Sequence, residues 1–138
     1  MATVDGSTFR ALPGARSVIQ WFGRVPRFHD AELFAHDVSP DAPGFLKLHS
    51  WTMTDRVDTS GVFVCENHAV VTFTFDRITA LSLEDTDTDG IVGSLQVIAL
   101  PGGSGRRVVW DNSWGVWGWV EGRGLSLELT PGEPSINA

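Results

Sequence analysis

Residues 69–75 read Ala-Val-Val-Thr-Phe-Thr-Phe, which puts Val71, Phe73 and Phe75 on one side of an extended backbone and Thr72, Thr74 and Asp76 on the other. Period-two alternation of β-branched and aromatic residues describes a half-buried strand and is incompatible with an amphipathic helix. The pattern returns near the end of the chain, where Leu125, Leu127 and Leu129 alternate with Ser126, Glu128 and Thr130. Further strand-like segments cover residues 45–53, 78–83, 91–100 and 107–113, separated by turn formers such as Ser39-Pro40-Asp41-Ala42-Pro43-Gly44 and Pro101-Gly102-Gly103-Ser104-Gly105. There is no alternation of strands with helices and no repeat of 20–50 residues. The expected fold is all-β, an antiparallel sandwich or strongly curled sheet of about seven or eight strands, with a short N-terminal helix.

That helix is expected over residues 15–22, where Val18, Ile19 and Phe22 share a face and Gly23 follows as a stop. Residues 1–13 read as an N-terminal arm of little structure, and the tail from residue 131 to 138 as loose. Residues 30–38 and 45–53 form a hairpin across the proline-rich turn. Residues 54–60 read as a loop, and residues 78–83 as a continuation of the preceding strand past a bulge at Asp76-Arg77. With no internal linker, residues 1–138 are expected to form a single domain.

Charge narrows the function classes. The net charge is −7, but residues 1–29 hold four Arg and one Asp, residues 30–90 hold twelve acids and three bases, and residues 91–138 hold four acids and three bases. An acidic middle repels phosphate backbones and favours a cationic partner, so a basic protein fits better than nucleic acid. No apolar run is long enough to span a bilayer, the start lacks a secretion pattern, and the single cysteine, Cys65, has no internal disulfide partner. The expectation is a soluble cytoplasmic protein without membrane association; a homodimer is compatible with it.

Three clusters carry candidate chemistry. On a regular strand Asp30, Glu32 and His36 share a face, and pairing across the hairpin brings His49 beside them, a carboxylate and imidazole set of the kind that holds zinc or another first-row metal. The plainer reading is a solvated polar face. Asp85-Thr86-Asp87-Thr88-Asp89-Gly90 copies the first half of a calcium loop, but its twelfth position is Gln96 and its flanks read as strands. It reads equally as a charged turn or as an acidic protrusion suited to a basic surface. Trp110, Trp114, Trp117 and Trp119 fall within ten residues. Exposed, they would serve as interface anchors or stack on sugars; with Gly115 and Gly118 between them, at least two are expected in the core. Cys65 lies in an apolar patch, no serine sits in a nucleophile elbow, and the 102–105 glycine turn lacks the lysine and helix of a phosphate loop. No catalytic set and no cofactor follow from the residues, so a non-catalytic binding protein is expected, with Asp85, Asp87, Asp89, Trp114 and Trp117 as partner-binding residues. The rival is a metal-dependent enzyme or small-ligand protein using Asp30, Glu32, His36 and His49.

Trp21-Phe22-Gly23-Arg24-Val25-Pro26-Arg27-Phe28-His29-Asp30-Ala31-Glu32-Leu33 resembles the W-P-x-F-H-D-A-E signature of the Immunity protein 50 family and related small bacterial domains. Residues 70–78 and the Ser113-Trp114-Gly115-Val116-Trp117-Gly118 segment look similar to later parts of that family in order, so the likeness touches most of residues 21–134. Val25 stands where the family has an aromatic, and residues 84–89 replace a more apolar strand end. The resemblance implies an all-β cytoplasmic protein that neutralises a cognate toxin by binding it. Phe28, His29, Asp30 and Glu32 are then expected to be structural: Phe28 in the core, the polar three fixing the start of the first strand, with Arg24 or Arg27 as partners.

Overall fold

The computed structural model describes residues 6–134. Two short helices, α1 (Ser7–Arg10) and α2 (Ala15–Phe22), precede eight strands: β1 (Glu32–Asp37), β2 (Gly44–Val57), β3 (Phe63–Phe75), β4 (Arg77–Glu84), β5 (Gly90–Ala99), β6 (Arg106–Trp114), β7 (Trp117–Arg123) and β8 (Ser126–Pro131). They form one antiparallel sheet in the order β4-β7-β6-β5-β1-β2-β3-β8. This is the all-β architecture expected from the alternating segments, with the helix expected over residues 15–22 in place.

Connectivity explains the curl. Only Asp76 separates β3 from β4, yet the two strands stand near opposite ends of the sheet. The sheet must bend round to bring those ends together, and a strand twist of roughly 20° per neighbour supplies the bend. Asp76 N donates to Arg123 O at 2.9 Å, Ile78 N to Ala42 O at 2.9 Å, and Asp41 N to Ile78 O at 2.8 Å, which stitches the corner without closing the ladder. Asp76-Arg77 is thus a corner between two strands, where a bulge inside one strand was expected.

The inside of the curl is the core. Leu46, Leu48, Val71, Phe73, Phe75, Ile78, Val92, Val108 and Val120 are buried along it, the period-two faces of their strands. The N-terminal arm joins them. Residues 7–10 are helical, Phe9 and Leu12 are buried, and the Phe9 ring lies 6.5 Å from both Phe28 and Phe73. Leu127 N donates to Pro13 O at 2.8 Å, which ties the arm to β8. The expectation of little structure fails over residues 7–13 because two apolar side chains have a core to enter; residues 1–5 and 135–138 lie outside the described residues. Residues 54–57, expected in a loop, extend β2, with the turn following them.

Candidate functional site

The connection between β4 and β5, residues 85–89, lies against the turn between β6 and β7. Val116 N donates to Thr88 O at 3.1 Å, and Glu84 on β4 stands directly opposite Trp117 on β7. Gly115 is needed at the crossing: its φ is 73°, and a Cβ there would run into the carbonyl of Asp89. The turn is held from below by Trp110, whose indole N–H donates to Val116 O at 3.0 Å, and from the side by Asn112 Nδ2, which donates to Gly115 O at 2.6 Å. Trp114 is 65% exposed and Trp117 42%. Asp85, Asp87 and Asp89 are also exposed. Two connections far apart in sequence therefore present three loop carboxylates and two indoles on one corner.

Of the four clustered tryptophans only Trp110 is in the core, where at least two were expected. Strand parity decides this. On β7, Gly118, Val120 and Gly122 point inward and Trp117, Trp119 and Glu121 outward. Trp119 is half-buried beneath the Arg107 guanidinium, which lies 4.6 Å from its ring centroid and is bonded to Glu121. Beside them Ser94, Gln96, Asp111, Trp117 and Trp119 line a shallow groove of about 290 Å³. The corner and groove thus share an aromatic surface edged by carboxylates.

The set Asp30, Glu32, His36 and His49 is not brought together. The β1–β2 register shifts between Leu33 and Ala35, so Glu32 stands opposite His49 while His36 stands opposite Leu46, on the other face. Asp30 precedes the strand with φ 66° and has the His29 imidazole 3.5 Å away. Among the described residues no group of three or more His, Cys, Asp or Glu is placed to hold a metal ion, in this set or in the Asp85-to-Asp89 loop. Phe28 is buried as expected, with its ring 5.5 Å from Phe73. The polar members of the motif have other partners than arginine: His29 Nδ1 bonds Gly93 O at 2.8 Å, and Glu32 approaches His49 Nδ1 at 3.7 Å.

His49 has a neighbour that no pattern in β1 reveals. The β2–β3 register is regular as far as Ser50 opposite Ala69, so His68 falls on the His49 face as its diagonal neighbour; the register shifts just beyond, between Ser50 and Thr52, where Asn67 with φ 63° forms a bulge. His49 Nε2 and His68 Nδ1 are 3.0 Å apart, their rings are stacked at 5.2 Å, and Trp51 lies 5.0 Å from His49. Glu133 Oε1 is 3.7 Å from His68 Nε2, so the row runs Glu32, His49, His68, Glu133. One hydrogen is shared between the two rings. Burial pushes His49 below its ordinary pKa of 6.5, opposed by the Glu32 charge and reinforced by His68. Trp21 and Asn67 exchange two bonds beside this row, indole N–H to Asn67 O at 2.8 Å and Asn67 Nδ2 to Trp21 O at 2.6 Å, which fastens the end of α2 to the bulge. An asparagine inside an apolar strand was the available signal for that bulge.

Comparison of the chain with models of protein families, with curated proteins and with solved structures finds no match. Among the described residues no helix is long and apolar enough to cross a membrane.

Proposed function

We propose that the chain is a non-catalytic binding protein that engages a basic protein through the corner built from Asp85, Asp87, Asp89, Trp114 and Trp117. The observation that carries this reading is the contact between the acidic connection and the tryptophan turn, made by Val116 N on Thr88 O. Exposed indoles supply large apolar area at small entropic cost, and interface energy concentrates in such anchors. The carboxylates around them speed encounter with a cationic surface and disfavour nucleic acid. The resemblance to the Immunity protein 50 family supplies the finer reading, that the partner is a cognate toxin whose active site is covered on binding. Its compartment would then be the cytoplasm.

The test is surface plasmon resonance against the product of a toxin-like reading frame adjacent to this chain's own. Replacing Asp85, Asp87 and Asp89 together by Asn should slow association and flatten its salt dependence. Trp114→Ala and Trp117→Ala should each speed dissociation by about 30-fold, the equivalent of an anchor worth about 2 kcal/mol. Unchanged rates in all three variants would remove this corner as the interface.

A further inference from the structure

At the opposite end of the curl from the acidic corner lies a second concavity, about 740 Å³, lined by Leu12, Pro13, Asp76, Arg106, Arg123, Leu125 and the 102–105 turn. We infer that this basin is a binding site for a phosphate-type oxyanion, either free or carried as a phosphomonoester on a small apolar body.

Arg106 is the first of the basin's two cations. It begins β6 and stands opposite Ala99 and Gly122, in step with Val108 and Trp110, whose side chains face the core. Parity therefore turns this arginine toward the inside of the curl at its open end. Its Nη1 donates to Gly105 O at 3.0 Å, but Nε is buried and has no hydrogen-bond partner. A buried guanidinium N–H without an acceptor is costly, and such groups are nearly always satisfied in native proteins. Among the described residues no carboxylate lies within ion-pair distance of Arg106 or Arg123, whereas Arg56, Arg77 and Arg107 all have one. Two cations without an ion pair line one concavity, which Asp76 shares.

The second support is the turn. Gly103 and Ser104 have φ of 71° and −77°, successive residues of opposite hand, the kind of turn whose backbone amides can cradle an anion. The Ser104 amide and hydroxyl are both spent on Pro101 O, at 3.3 and 2.7 Å, so the donors for a ligand come from the glycine amides and the two arginines. Two guanidinium forks match the oxygens of a phosphate. Leu12, Pro13 and Leu125 form the apolar wall, which suits an ester better than the bare ion. Asp76 lies on the same basin and opposes any anion. Removing its charge should therefore tighten binding.

The experiment is a titration of the full chain with inorganic phosphate, phenyl phosphate and phenol, followed by backbone amide shifts and thermal melting at constant ionic strength. The expected result is saturable movement of the Gly102, Gly103, Gly105 and Arg106 amides with one or both phosphates and not with phenol. A preference for phenyl phosphate assigns an ester, and a preference for the inorganic ion assigns a free anion. Arg106→Gln should weaken binding at least tenfold, Arg123→Gln severalfold, and Asp76→Asn should strengthen it, while Arg56→Gln, on the β2–β3 ribbon, should change nothing. Without ligand, Arg106→Gln should melt no lower than the parent, because it removes a buried N–H that has no acceptor. No saturable shift up to about 50 mM of either phosphate, equal response to phenol, or unchanged affinity in Arg106→Gln would overturn the assignment.

Discussion

Trp110→Phe separates the scaffold of the acidic corner from the residues it displays. Trp110 is 2% exposed, and its indole N–H holds the Val116 carbonyl at 3.0 Å, beneath the turn that carries Trp114 and Trp117. Phenylalanine keeps the ring in the core but loses roughly 40 Å² of apolar contact, about 1 kcal/mol at about 25 cal/mol per Å². Partial collapse of the space left behind adds up to about 1 kcal/mol. Val116 is itself 1% exposed, so its carbonyl loses a donor where water cannot replace it, which costs about 1–3 kcal/mol. The expected loss is about 3 kcal/mol. Urea unfolding followed by far-ultraviolet circular dichroism measures it without relying on the indole that is removed, and the midpoint should fall at constant slope. Trp119→Phe, on the half-buried outer face, should cost less than about 1 kcal/mol by the same assay. A loss below about 1 kcal/mol for Trp110→Phe would mean that the hydrogen bond does not hold the turn.

Two other perturbations test the remaining polar elements. Because folding lowers the His49 pKa below 6.5, the unfolded chain takes up this proton first as pH falls; the folded state is fully favoured above about 6.5 and loses stability as pH drops below it, until folded His49 protonates too. His49→Gln should reduce that slope in urea midpoints measured between about pH 7.5 and pH 5, and an unchanged slope would contradict the burial argument. Asp30 holds φ 66° while its carboxylate is half exposed, so backbone conformation outweighs its pairing with His29. Asp30→Ala should cost about 1 kcal/mol and Asp30→Gly less than about half that, and equal losses would return the effect to the side chain.

The sheet was legible from local alternation, because residues 71–75 and 125–130 show a face that must be buried and one that need not be. The acidic loop and the tryptophan cluster were legible as separate stretches, though not which of the indoles are exposed. What alternation carries poorly is parity across an irregularity. A register shift after Leu33 sends His36 to the face opposite Glu32, and the pairing of β2 with β3 sets His68 diagonally beside His49. Both undo or create a cluster without altering the hydrophobic pattern much. The tryptophan segment failed for a related reason: two outward positions on β7 are aromatic, so hydrophobicity alone pointed them inward.

By itself the sequence determined the fold class, the apolar face of α2 and the sign of the charge, since each depends on neighbours a few residues apart. Only the tertiary structure decided that the two ends of the sheet meet at Asp76, that residues 85–89 rest on the turn at Gly115, and that Arg106 and Arg123 share a basin with the glycine turn. Those contacts join segments separated by tens of residues, and they are set by how far an unclosed sheet must curl to let a one-residue connection span it.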